Sequence, residues 1–285
     1  MNRVEDIVDK VDTLPPLSGT VTRLMSVIRD PHSSISDIVG VVRYDEVVTS
    51  EILKICNSAY FGLSRKIASL NEAMVCLGTA KLLHLVMAVH GKALLGKEQQ
   101  GYGLSPGFLW QHSVGVALAS EIIGGRLKVP NESLLFTMGL LHDIGKLVLA
   151  EHVAAEFAEI TRLVSEEGHA FNEAERLVLG YDHCEVGTLL AEKWKLPEEI
   201  VRAVRWHHAP PSPPNVDPFV DVVYLGNALC MMLGFGIGHD GLSYRAEEEI
   251  LARNQLTERD LETFGAQVVD DLAQVKEMFA VDRED

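Results

Sequence analysis

Long uninterrupted apolar runs are missing from this chain. No stretch of about eighteen such residues occurs, and the start, Met1-Asn2-Arg3-Val4-Glu5-Asp6, is too polar for the apolar centre of a signal peptide. A cytoplasmic protein without membrane association is therefore expected. Cysteine is scarce as well: Cys56, Cys76, Cys184 and Cys230 stand far apart with no CxxC pair, which argues against a disulfide framework or a zinc knuckle and leaves buried free thiols as the expectation. Basic charge is short, with 25 Lys and Arg against 41 Asp and Glu. The deficit lies beyond residue 100, since residues 1–100 hold 11 of each sign and the remainder 14 basic and 30 acidic. Such a surface repels a phosphate backbone, which counts against nucleic acid as a partner. Strand-like alternation and internal repeats are absent, and so is any receiver, kinase or DNA-binding pattern. Any protein partner would then be expected to be basic or mixed, which an acidic surface suits.

What is present is one helical pattern after another, on a 47% hydrophobic composition ample for a packed core. Residues 4–13 read as a short amphipathic helix ending before Leu14-Pro15-Pro16-Leu17. Val21, Leu24, Met25 and Ile28 recur at helical spacing up to Asp30-Pro31, and Ser34 or Ser36 can cap a helix over Ile38, Val39 and Val42. A helix over Val48–Ala59 follows, then a loop at Tyr60-Phe61-Gly62-Leu63-Ser64, then a capping box at Ser69 and Glu72 opening an apolar segment to Leu95 that Gly78 interrupts. The aromatics of that loop would suit partner docking, but capping and core packing explain them as well and are the preferred reading. Gly101-Tyr102-Gly103-Leu104-Ser105-Pro106-Gly107 reads as a linker, placing a boundary near residue 100.

Beyond the linker, helices are expected around 112–123, 133–151, 153–166 and 183–194. Pro197 opens one over 198–208, and Pro210, Pro211, Pro213 and Pro214 stop it. Residues 219–233 resume as a helix, and Thr257-Glu258-Arg259-Asp260 caps a closing one through Leu261, Phe264, Val268, Leu272 and Val275. The expectation is an all-α protein with an N-terminal helical lobe (1–100), a second helical lobe (101–240) and a C-terminal helical extension (241–285).

Chemistry concentrates at Leu140-Leu141-His142-Asp143-Ile144-Gly145-Lys146. A carboxylate inside so apolar a segment needs a surface position, hydrogen bonds or a cation. His112, His183, His207 and His208 stand in or beside other helices, and one small volume can receive them all. Imidazole and carboxylate in this mix suit Fe, Mn, Ni or Zn, as one or two ions, and Asp143 shared between two ions would resolve its own burial. Phosphoester hydrolysis is the chemistry such a pair supports, with Lys146 on a phosphate oxygen. A solvent-facing Lys146, and histidines that merely bond backbone carbonyls, are the plainer alternatives.

His112, then His142-Asp143, then His183, then His207-His208 follow the order of the HD superfamily of metal-dependent phosphohydrolases, which includes HD-GYP phosphodiesterases. Leu14-Pro15-Pro16-Leu17, Arg43-Tyr44-Asp45-Glu46-Val47, Ile55-Cys56-Asn57-Ser58-Ala59-Tyr60-Phe61-Gly62 and Asn71-Glu72-Ala73-Met74-Val75-Cys76-Leu77-Gly78 resemble the HDOD family of bacterial signalling domains. So do Tyr181-Asp182-His183-Cys184-Glu185-Val186-Gly187, Leu196-Pro197-Glu198-Glu199-Ile200 and Trp206-His207-His208, and the resemblance spans roughly residues 10–235. It implies an N-terminal helical lobe packed on an HD-like lobe, a regulatory role in signal transduction without demonstrated catalysis in most members, and a metal pocket at the histidines and Asp143. Two departures bear on activity. Asn227, in Tyr224-Leu225-Gly226-Asn227-Ala228, stands where the HD pattern ends in an aspartate ligand, and an amide oxygen is the weaker donor. After His208 the chain reads Ala209-Pro210-Pro211 without the Gly-Tyr-Pro residues of HD-GYP enzymes, which argues against cyclic-dinucleotide hydrolysis. The expected function is a regulatory module sensing a metal or a phosphorylated small molecule. A metal-dependent phosphohydrolase, with Asp143 and Lys146 catalytic, is the alternative.

Overall fold

The computed structural model describes residues 19–30, 32, 34–58, 66–98, 102, 104–150, 156–212, 214–235 and 246–279. The expected helix at 4–13, the Leu14–Leu17 motif and the Tyr60–Ser64 loop lie outside them. Among the described residues the regular structure is entirely helical. The helices are α1 (Gly19–Arg29), α2 (Ile35–Val42), α3 (Glu46–Cys56), α4 (Leu70–Leu77), α5 (Thr79–Leu95), α6 (Phe108–Leu127), α7 (Glu132–Leu141), α8 (Gly145–Leu149), α9 (Phe157–Glu167), α10 (Phe171–Leu179), α11 (His183–Lys193), α12 (Glu198–Trp206), α13 (Pro218–Met232), α14 (Glu248–Arg253) and α15 (Glu258–Phe279).

Local chemistry sets many of the boundaries. Ser34 opens α2 by donating its N–H to Asp37 Oδ2, Asp45 caps α3 by accepting from the Val48 N–H, and Ser69 caps α4 by accepting from the Glu72 N–H. Gly78, at φ 78, separates α4 from α5, a turn that a side chain would strain. Pro197 sits one residue ahead of α12, while Pro218 takes the first turn of α13 behind the Asp217 cap.

α6 is the central element: α7 and α13 pack along it and α15 crosses it. Gly139 lets α7 reach α6, since a Cβ there would lie 2.6 Å from the Ala117 Cα. From the N-terminal side, α5 packs on both α6 and α7, and one hydrophobic cluster runs without a break from Val21 to Phe279. No helix among the described residues is long and apolar enough to cross a membrane.

The structure corrects the expected helices in three places. The helix over 133–151 is two, because Ile144, Lys146 and Leu147 donate to Leu141, Asp143 and Ile144 in tightened bonds three residues back. Gly145 then presses against the start of α11, where a Cβ would meet the His183 carbonyl oxygen at 1.9 Å. Helix α10 was not expected at all, and α14 falls within the expected C-terminal helical extension without having been placed there as a separate helix. Burial of Glu175 within α10, together with exposure of its Leu177, hides the helical period there. In the segment expected over 153–166, the helix begins at Phe157, and 151–155 lie outside the described residues.

Candidate metal centre

The turn between α7 and α8 places His142 and Asp143 at the inner end of both helices. α6 brings His112 from one side, α11 brings His183 at its first residue, and α12 ends at His207 and His208. His112, His142, Asp143, His183 and His207 are each no more than 3% exposed, while His208 is partly exposed.

Four of the five rings are held by the outer nitrogen. His142 Nδ1 meets the Gly139 carbonyl at 2.7 Å, His207 Nδ1 the Val204 carbonyl at 2.9 Å, and His112 Nδ1 the Phe235 carbonyl at 3.0 Å. His183 Nδ1 meets the Glu175 carboxylate at 2.6 Å. Carbonyl and carboxylate oxygens only accept, so each Nδ1 is a donor and each Nε2 is left to face inward. Those nitrogens surround Asp143. Its Oδ2 lies 3.7 Å from His112 Nε2 and 3.4 Å from His142 Nε2; its Oδ1 lies 3.4 Å from His183 Nε2 and 3.5 Å from His207 Nε2.

The two oxygens thus look toward two groups of ligand atoms. One is His112, His142 and Asp143; the other is His183, Cys184, His207 and His208, the atoms of each group lying within 4.8 Å of one another. Asp143 Oδ1 and His142 Nε2 are buried without a hydrogen-bond partner among the described residues, and so is the amide Oδ1 of Asn227 on α13. An unsatisfied buried polar atom costs about 1–3 kcal/mol, and two of them on the neighbouring side chains of His142 and Asp143 call for a ligand between them. Coordination to a cation would satisfy carboxylate and imidazole together, so the donor set fits one or two divalent transition-metal ions.

The electrostatics agree. Burial works to raise the Asp143 carboxyl, but His142 and Lys146 outweigh it and hold it well below the usual carboxylate range. Burial pulls His112 down to about 3 and also lowers His142 and His208, so these three rings are neutral with lone pairs to offer. Burial acts the same way on His183 and His207. There Glu175 outweighs it and raises His183 well above its ordinary value, while the Cys184 thiolate and Asp143 raise His207 to about 9.

Three residues of this arrangement were not foreseen from the sequence as part of the site. Glu175, fully buried on α10, accepts from the His183 N–H at 2.9 Å, from its Nδ1, and from the Tyr102 hydroxyl. Tyr102 comes from the segment read as a plain linker and is buried. Cys184 was expected only as a buried thiol; it is buried, but against imidazoles. Lys146 does not face solvent: its ammonium lies 2.8 Å from Asp143 Oδ2 with the side chain 10% exposed.

Comparison with known proteins gives the family. The HDOD domain family matches residues 14–210. An uncharacterized protein of Treponema pallidum (strain Nichols) is 25% identical over 226 residues, 78% of this chain and 43% of that protein, so the chain spans less than half the length of this curated relative. Among solved structures, an HDOD domain protein of unknown function from Geobacter sulfurreducens is 26% identical with a TM-score of 0.68, each chain covered over 98%. A candidate signal transduction protein of Marinobacter aquaeolei VT8 is 22% identical with a TM-score of 0.75, covering 98% of this chain and 61% of that one. With more than half its length matched by the family, the chain belongs to the HDOD domain family.

Proposed function

We propose that this chain is a cytoplasmic regulatory module of bacterial signal transduction that acts through protein partners. Its His/Asp centre, in this reading, holds one or two divalent transition-metal ions (Fe, Mn, Ni or Zn) as a structural or sensing element and does not turn a substrate over. The observation that carries it is the convergence of inward Nε2 atoms on a buried Asp143 whose Oδ1 lacks a hydrogen-bond partner among the described residues. The ligands would be His112, His142, Asp143, His183, His207 and His208, with the neutral amide of Asn227 as a weaker seventh donor. Near-complete burial of five of the six favours holding an ion over admitting a phosphoester.

A second reading, hydrolysis of a nucleotide or related phosphoester, is favoured by one observation. His208 is the one of the six proposed ligands that is partly exposed, so a phosphorylated molecule would approach there. Bound ions would supply Lewis-acid charge, and Lys146 would hold a phosphate oxygen. Elemental analysis of untagged protein beside an Asp143→Ala variant tests the main reading. Near-stoichiometric metal in the wild type, lost in the variant, supports it. No metal in either, with each candidate ion supplied, overturns it. Hydrolysis of a nucleotide that Asp143→Ala abolishes would transfer the assignment to the second reading.

A further inference from the structure

The centre is not uniform, because one of its two groups contains sulfur. Resting on the reading that the centre binds metal, we infer that Cys184 is itself a ligand, making the group of His183, Cys184, His207 and His208 a thiolate-bearing site that takes a zinc-class ion in preference to manganese.

The nitrogen distances match a coordination shell, and the sulfur stands a few tenths of an ångström outside one. A tetrahedral ion with metal–nitrogen bonds of about 2.0–2.1 Å and a metal–sulfur bond of about 2.3 Å sets its nitrogens about 3.3 Å apart and its sulfur about 3.6 Å from each. His183 Nε2 lies 3.1 Å from His208 Nε2 and 3.4 Å from His207 Nε2, and Cys184 Sγ lies 3.9 Å from His207 Nε2. Sγ is also 4.0 Å from His207 Nδ1, so it stands beside the ring and joins the shell by turning toward Nε2. Asp143 Oδ1, 1% exposed as a residue and without a hydrogen-bond partner among the described residues, points into the same space.

Position on the helix supports the assignment. Asp182 caps α11, so His183 and Cys184 occupy its first two positions, where the backbone is fixed by the cap and by the His183 N–H bond to Glu175. Cys56 and Cys230 are also buried, yet neither belongs to a group of converging ligand atoms among the described residues. A soft thiolate beside imidazoles selects zinc over manganese, which prefers oxygen. The bonds formed are metal to Sγ and metal to three Nε2 atoms; the thiol proton and any imidazolium protons leave to solvent.

The test loads the full-length protein with Co(II) and records its near-ultraviolet and visible spectrum beside Cys184→Ser and Cys76→Ser variants, with metal content measured on each. A thiolate-to-cobalt charge-transfer band in the wild type, kept in Cys76→Ser and lost in Cys184→Ser, is the expected result, together with at least tenfold weaker zinc binding in Cys184→Ser. A second measurement needs no variant: zinc should protect Cys184 of the wild type from alkylation, and a chelator should expose it. Cobalt bound without the band, or alkylation of Cys184 unaffected by zinc, overturns the inference while the metal-centre reading stands. Failure to bind cobalt or zinc at all overturns the inference, and the metal-centre reading falls with it only when iron, manganese and nickel fail to bind as well.

Discussion

Replacing Glu175 by Gln changes one charge and almost no shape. The carboxylate accepts the His183 N–H and Nδ1–H on Oε2 and the Tyr102 hydroxyl on Oε1. A glutamine oxygen can take over the two His183 bonds while its NH2 donates to Tyr102, so the ring stays in place. What is lost is the negative charge that makes His183 a better electron donor. Losing such an outer partner costs about 10–100-fold in metal affinity, about 1.4–2.8 kcal/mol. Glu175→Leu removes the acceptor for three buried donors and should cost at least about 3 kcal/mol of folding stability, at about 1–3 kcal/mol for each. Competition against a chromophoric chelator measures the first change, and urea denaturation of metal-free protein the second. Equal zinc affinity in wild type and Glu175→Gln would refute the reasoning, because His183 would then not be a ligand tuned by Glu175.

Gly145→Ala should destabilise by about 1–3 kcal/mol or more and lower metal content, since its Cβ would collide with the His183 carbonyl and push α8 off α11; thermal denaturation with metal analysis checks it. Asp221 is fully buried and accepts from Arg253 Nε at 2.7 Å and Asn254 Nδ2 at 2.8 Å, so Asp221→Ala should cost about 3 kcal/mol by urea denaturation. His84 stacks on Phe136 at 4.2 Å between ring centroids, and burial pulls its imidazole from 6.5 to about 4. Between those values the unfolded chain takes up a proton that the folded chain refuses, so this contribution to stability is complete above pH 6.5 and is lost as pH falls toward 4. It amounts to at most about 3 kcal/mol, trimmed by Glu121 Oε1 at 3.3 Å, which favours the charged ring. His84→Phe should flatten the stability profile across that window, as denaturation at a series of pH values will register.

Helices with a clean apolar period were legible in the sequence. Val21, Leu24 and Met25 are the buried face of α1, and Leu261, Phe264, Val268 and Leu272 that of α15. The His-Asp constellation was legible because its residue types are costly in apolar surroundings, and because each stood at the start, middle or end of a recognisable helix. α10 was not, since its inward side chains include a glutamate. Phe171-Asn172-Glu173-Ala174-Glu175 holds two acids, and only the helix phase decides that Glu175 turns inward while Glu173 reaches back to the Ala170 N–H. Nor did the periodic pattern across Ser133–Glu151 disclose the break at Asp143, which depends on Gly145 meeting a helix some forty residues away.

Tyr102 sits between the helices of the first hundred residues and α6, yet its hydroxyl ends on the carboxylate that orients His183. Pulling this segment away breaks a bond to Glu175 and so changes the electron density at a nitrogen facing the centre. Linkage makes the traffic two-way: whatever free energy an ion at His183 gains from Tyr102 being docked, the docked segment gains from the ion. Occupancy of the centre and the docking of Tyr102 are then a single equilibrium, so that tightening one tightens the other.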